Sequence, residues 1–261
     1  MWPFDVPSAP VAPTSSILDN GPSLTPVYAP HPYYPLEIEI TGYLANQYGV
    51  PTLIALFAAG CAGIFTLTHI VVTHIRPGLP TSELLTILWF VLSGCIHAFF
   101  EGYYVYNFRA MGGLQTLFGQ LWKEYSLSDS RYLTRDPFVL CMETITAVFW
   151  GPLSFVVAYM ISTEHVLRHP LQIIVSLGQL YGDVLYYATS MFDHYIFDKS
   201  YSRPEPYYFY GYYVFMNAFW IVIPTCLILG SVKASGRAAN VLKKVGERAG
   251  RDAMSKKTKT T

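Results

Sequence analysis

The chain has 261 residues, of which 52% are hydrophobic and only 13% charged. Lys and Arg together number 17, as do Asp and Glu, so the formal net charge is zero and nothing in the overall charge draws the chain to nucleic acid. Apolar runs reach the roughly 20 residues that a helix needs to cross the hydrocarbon layer; they exclude an ordinary soluble domain and predict an all-α membrane protein, a bundle of about five transmembrane helices.

Residues 1–35 carry proline at nine positions and no Lys or Arg. A segment so poor in helical N–H donors is expected to stay extended or disordered, as a tail rather than a domain. The absence of a basic stretch before the first apolar run is unlike a cleavable signal peptide, so the first span is expected to be retained. Leu36 to Gly49 is expected to form a short interfacial lead-in, with Tyr43 and Tyr48 at the headgroup level. Spans are predicted over 51–72, 84–107, 137–161, 171–192 and 207–230. Pro51, Pro77, Pro80, Pro137, Pro170 and Pro206 mark their boundaries, whereas Pro152 and Pro224 fall inside spans and are expected to kink them. The main domain is drawn over 36–235 and a basic tail over 236–261. No internal repeat of the transporter type is visible. The four cysteines lie in apolar runs without metal-type spacing and read as small packing residues, with no metal site expected.

With five spans, eleven Lys and Arg lie on the C-terminal side of the membrane and six on the other. The positive-inside rule then puts the C-terminus in the cytoplasm and the N-terminal tail in the lumen. Lys257 and Lys259 resemble a cytosolic dilysine retrieval signal, which agrees with that orientation and with an endoplasmic reticulum membrane.

Ionisable side chains at mid-bilayer cost roughly 2.5–3.5 kcal/mol each on insertion scales, so each needs a reason. In the second span His97 and Glu101 stand four residues apart, on one helical face and within mutual reach. Glu143 and Thr146 share a face of the third span, with Trp150 one turn further. Gln179, Asp183 and Tyr186 or Tyr187 follow the same spacing in the fourth, as do Asn217 and Trp220 in the fifth. Single Asn, Gln or aromatic residues are ordinarily interhelical glue or packing, and Asp183 alone suits a structural hydrogen bond as well as a site. Three titratable groups in His97, Glu101 and Glu143 exceed what glue requires, and four polar stripes are expected to converge on one cavity.

No phosphate-binding loop, nucleotide fingerprint, zinc-protease or hydrolase motif, haem motif or flavin motif is present, so no cofactor is expected. What remains is proton chemistry: protonation of an alkene, a carbocation held by the carboxylates and the face of Trp220, and loss of a different proton.

The segments Gly94-Cys95-Ile96-His97 through Glu101-Gly102, Gln120-Leu121-Trp122-Lys123-Glu124-Tyr125 with Asp129-Ser130-Arg131-Tyr132, Cys141 to Ala147 with Trp150 to Ser154, Gly178 to Tyr186, and Val214 to Trp220 resemble the emopamil-binding protein family of the EXPERA group, sterol Δ8–Δ7 isomerases. The likeness spans about residues 85–235. It implies five membrane helices, residence in the endoplasmic reticulum, homodimers, amphipathic amine ligands and cofactor-free conversion of a Δ8 sterol drawn from the bilayer to its Δ7 isomer. It also implies that His97 and Glu101 form the pair that protonates C9 and deprotonates C7, with the donor left open. Glu143 and Thr146 match third-helix pocket residues, Asn217 and Trp220 fifth-helix ones, and Tyr132 a further pocket position. Ser128 and Tyr103 depart from the family pattern, where Gly and Trp are expected. The alternatives are a non-catalytic sterol- or amine-binding relative of the sigma-2 receptor type and an isomerase of a related terpenoid. The combination of His97, Glu101, Asn217 and Trp220 favours catalysis. A transporter or channel lacks the continuous polar path or the repeat it would need.

Overall fold

A computed structural model describes residues 30–258 of the chain. Most of the proline-rich tail (1–29) and Lys259 of the dilysine pattern lie outside the described residues.

Six helices organise the described residues. Helix α1, Val50–Ile75, starts with Pro51 in its first turn, where a missing N–H leaves no intrahelical bond unmade. Helix α2 spans Thr81–Asn107 and contains a π-helical turn at Ile96–Glu101. A short helix α3, Leu117–Tyr125, is capped by Thr116, whose hydroxyl oxygen accepts the Gly119 N–H. Helix α4, Pro137–Ser162, has Asp136 as its cap, accepting the Val139 N–H at 2.9 Å, and a second π-helical turn at Thr146–Trp150. Helix α5 is Arg168–Phe197, and α6 is a π-helical stretch, Tyr207–Phe215, that runs directly into Met216–Thr258.

Four of these helices, α1, α2, α4 and α6, are long and apolar enough to cross a membrane. Helix α5 matches them in length, at 30 residues. It falls short in apolarity because Arg168, His169, Gln172, Gln179, Asp183, Asp193 and His194 interrupt it. The expected fourth span turns a polar face into the bundle: Gln172, Gln179, Asp183 and Tyr186 are all buried. Helix α6 continues well past residue 236, so the basic segment drawn there is helical through Thr258.

The bundle is organised around two helix pairs, α2 with α4 and α5 with α6, with α1 laid against α2. Of the 26 residues of α1 only Leu53 and Val72 are buried, which leaves most of its surface for lipid. Small residues let α2 and α4 approach: a methyl group built at Gly151 would stand 2.9 Å from the Ala98 amide nitrogen, and one at Gly94 would stand 2.8 Å from the Phe155 ring. The two π-helical turns meet at this crossing. Pro152 follows the one in α4, and its absent N–H is absorbed by the wider turn before it rather than by a break in the helix. The helix also continues through Pro224 in α6. Cys141 and Cys226, expected as packing residues, instead face outward, and all four cysteines are free thiols.

One end of the bundle is closed by a polar cap. Gln120, fully buried, accepts the Gln47 and Tyr48 amides, each at 2.8 Å, and donates to the Gln115 carbonyl at 2.8 Å. The Lys123 ammonium donates to the Leu44 carbonyl at 2.7 Å, and burial lowers its pKa to about 8. Tyr33 and Ile40 are buried against this layer, so the packed segment includes residues ahead of Leu36 and the expected interfacial lead-in packs as part of the cap. Arg131 is only 1% exposed; its guanidinium donates to both oxygens of Asp129, to Thr189 at 2.8 Å and to the Tyr186 carbonyl at 3.2 Å, and lies over the Tyr186 ring.

Two outcomes follow from this packing. Gly151→Val should destabilise the bundle by about 1–3 kcal/mol, because the obstacle is backbone that cannot yield, whereas Gly60→Ala, with open space around it, should be neutral; thermal unfolding in detergent reads both. Asp129→Asn should cost about 3–5 kcal/mol, since it strands a buried guanidinium without its countercharge; the same melting measurement checks it.

Candidate active site

Between α1, α2, α4, α5, α6 and the cap lies a cavity of about 440 Å³, within the range of ligand sites for drug-sized molecules. All eight residues singled out from the sequence line it: His97, Glu101, Tyr132, Glu143, Thr146, Asp183, Asn217 and Trp220. The convergence of the polar stripes is thus observed.

The wall contributed by α2 sets the arrangement. His97 and Glu101 both fall in the π-helical turn, with residue exposures of 1% and 6%. Nδ1 of His97 lies 2.8 and 2.9 Å from the two oxygens of Glu101, so the imidazole and the carboxylate form one unit. On the other side of the ring, the Gln179 amide nitrogen stands 3.0 Å from Nε2. With the amide nitrogen turned toward it, Nε2 is the acceptor in the tautomer whose ring proton sits on Nδ1, facing Glu101. The Gln179 carbonyl oxygen is buried with no partner among the described residues.

From α4, Glu143 accepts a hydrogen bond from the Tyr132 hydroxyl at 2.6 Å and lines the same cavity as Glu101. Two carboxyls and an imidazole therefore occupy one water-poor space, where a single proton has several acceptors within reach. Thr146 lines the same wall but spends its hydroxyl proton on the Met142 carbonyl, at 2.7 Å. Trp150, next on that face, closes on α5: a methyl group at Gly178 would stand 2.4 Å from its ring.

From α6, the Trp220 ring packs 5.5 Å, centroid to centroid, from the His97 imidazole and is held edge-on by Trp89 at 4.5 Å. Asn217 donates to the Tyr125 hydroxyl at 2.9 Å and to the Tyr213 carbonyl at 2.7 Å. Of the two tyrosines left open on α5, Tyr186 lines the cavity, while Tyr187 donates to the Val214 carbonyl at 2.7 Å and ties α5 to α6. The lipid-side rim includes Phe65 of α1 with Met216 and Phe219 of α6, all exposed on the outer surface.

Several contributors stand outside the eight. Gln179 was visible as part of a polar stripe but reads as interhelical glue until its contact with His97 is seen. Tyr125 and Trp122 enter from the cap, and Trp89 from two turns before His97 on α2. Trp122 and Tyr125 belong to a segment that carries the family resemblance, but nothing in the sequence placed them in the cavity, and Trp89 stood out only by an aromatic content that the rest of the chain shares.

Comparison with known proteins matches residues 117–231 to the family model EXPERA (EXPanded EBP superfamily). A 3-beta-hydroxysteroid-Delta(8),Delta(7)-isomerase of Cavia porcellus is 37% identical over 216 residues, covering 81% of this chain and 92% of that protein. The chain belongs to the EXPERA superfamily. The corresponding isomerase of Mus musculus is 38% identical over 218 residues, at 81% and 91% coverage. A protoglabretal synthase of Citrus sinensis is 36% identical over 167 residues, at 62% and 77% coverage.

If Gln179 sets the tautomer of His97, Gln179→Leu should lower turnover about tenfold, the worth of one buried hydrogen bond, and should also displace the pH–rate profile. A change in melting temperature with an unmoved profile would assign Gln179 to packing alone.

Proposed function

We propose that this multi-pass membrane protein is a sterol isomerase that moves the C8=C9 double bond of a Δ8 sterol to C7=C8. The observation that carries the reading is the His97–Glu101 pair of one helix meeting Glu143 of another inside a cavity roofed by the Trp220 indole. An allylic shift of this kind needs one proton delivered and a different proton taken away, within a space that excludes water for the lifetime of a cation.

The steps balance without oxidant or reductant. A proton from the imidazole–carboxyl group adds to C9, and the C8=C9 electron pair becomes the new C9–H bond. The positive charge left at C8 lies among the carboxyl groups and the indole face, groups already oriented toward it before reaction. The C7–H bond then breaks, its electrons form C7=C8, and its proton returns to the same group. One proton enters and one leaves, so each turnover restores the enzyme. Where the residue that gives the C9 proton and the one that takes the C7 proton differ, a transfer between them inside this group returns the proton to the donor before the next turnover.

The apolar rim at Phe65, Met216 and Phe219 suits entry of a sterol sideways from the bilayer. The same reading takes amphipathic amines as ligands, an ammonium group imitating the C8 cation between carboxyl and indole. It extends to the endoplasmic reticulum as the residence, with the basic C-terminal side in the cytoplasm, and to a homodimer as the assembled form. The positive-inside count supports the orientation, and the family resemblance supports the residence and the assembly.

Expressed in cells that lack Δ8–Δ7 isomerase, the chain should convert accumulated Δ8 sterol to Δ7 sterol, measured by mass spectrometry of extracted sterols. Persistent Δ8 sterol despite normal expression would end the proposal. His97→Ala and Glu101→Gln should each reduce conversion by at least about 100-fold, the usual range for loss of a general acid or base. Unimpaired conversion in either variant would mean that the proton transfers are misassigned.

A further inference from the structure

The polar end of the cavity contains one group that the reaction does not account for. Asp183 of α5 is 6% exposed and lines the cavity, yet its Oδ2 is buried without any hydrogen-bond partner among the described residues. Of the polar side chains around it, Tyr213 also keeps a buried hydroxyl without a partner among the described residues but does not line the cavity, and three others are engaged elsewhere. Tyr132 donates to Glu143, Asn217 donates to Tyr125 and to the Tyr213 carbonyl, and Tyr187 donates to the Val214 carbonyl. A buried carboxyl left without a donor is costly, and a donor carried in by the ligand removes that cost.

A sterol carries one hydroxyl, at C3, two fused rings away from the C8=C9 bond. Asp183 lies one helical turn beyond Gln179, the residue that touches His97 at Nε2. That turn advances about 6 Å along α5, the span of those two rings. The cavity is graded in the same sense: Asp183, Tyr125, Tyr132 and Asn217 gather at the capped end, while Phe65 and Ile223 line the other. Trp89 also has a buried, unpartnered N–H, but it lies two turns from His97 on α2, about 12 Å, too far for the hydroxyl of a sterol whose ring-B olefin is at the imidazole.

Resting on the sterol isomerase reading, we propose that the Asp183 carboxyl accepts the hydrogen bond of the 3β-hydroxyl. Asp183 is then the specificity residue that seats ring A at the capped end and holds C9 and C7 in register with the acid–base group. The side chain of the sterol points the opposite way, between α1 and the later turns of α6.

The test compares three Δ8 sterols, bearing a 3β-hydroxyl, no substituent at C3, or a 3-O-methyl group, with the purified full chain in lipid nanodiscs. The wild type should process the hydroxyl sterol with a kcat/KM about 10- to 100-fold above the other two, the discrimination expected when a buried acceptor is left without its donor. Asp183→Leu should lose activity on the hydroxyl sterol and treat all three alike. Asp183→Asn, close in shape and still an acceptor through its carbonyl, should fold normally and fall between the two. Wild-type discrimination in a folded Asp183→Asn and Asp183→Leu would overturn the proposal, as would its disappearance in Trp89→Phe instead. Failure of the wild type to isomerise any of the three would overturn the isomerase reading, and this assignment with it.

Discussion

The structure turns on the pairing of His97 with Glu101 in a medium that tolerates neither alone. A charged or half-satisfied group in the interior of a bundle is expensive, and here the expense is met from three helices at once: α2 supplies the pair, α5 the amide on the far side of the imidazole, and α4 a second carboxyl that is itself anchored by a tyrosine of the cap. The surrounding features serve this pairing. Glycines at the α2–α4 crossing bring the two carboxyl-bearing helices together, and the π-helical turns at that crossing give each wall a wider loop of backbone from which to present its side chains. The cap keeps water from one end, with its own buried Lys123 and Arg131 satisfied by carbonyls, Asp129 and Thr189, so that neither adds an unpaired charge near the cavity.

The same economy explains the odd composition of α5. One face of this helix, with Gln172, Gln179, Asp183 and Tyr186, is turned into the bundle, and the opposite face, with Ile174, Leu177, Tyr181 and Val184, is exposed and apolar, so its polar residues are concentrated where lipid does not reach. Helix α1 is the opposite case, nearly all surface and nearly all hydrocarbon, and it supplies the cavity with Phe57, Cys61 and Phe65 alone. A chamber bounded on one side by such a lightly packed helix has its natural doorway there.

Much of this was legible in the sequence for one physical reason: polar residues in apolar runs are conspicuous. Four-residue spacing between His97 and Glu101, and three-residue spacing between Glu143 and Thr146 and between Asn217 and Trp220, announced the faces that the structure turns inward. Other features left no comparable trace. The π-helical turns depend on how α2 and α4 meet, which no local pattern encodes. The cap forms from residues 31–48 and the α2–α4 connection, segments whose polarity read as loop or interface because their buried hydrogen bonds run to partners more than 70 positions away. Gln179 carries no distinguishing mark, because an amide in a membrane helix has an ordinary explanation unless its neighbour is an imidazole.

That amide carries a mechanical consequence. While Nε2 of His97 holds only a lone pair, the NH2 group must face it; once a proton occupies that nitrogen, two donors would confront each other, and a half-rotation about the last bond of the Gln179 side chain brings the carbonyl round instead. The protonation history of a ring on one helix would thus be written as the orientation of a dipole on another, and the isotope-edited vibrational band of a single labelled glutamine would follow the catalytic cycle from outside the reacting atoms.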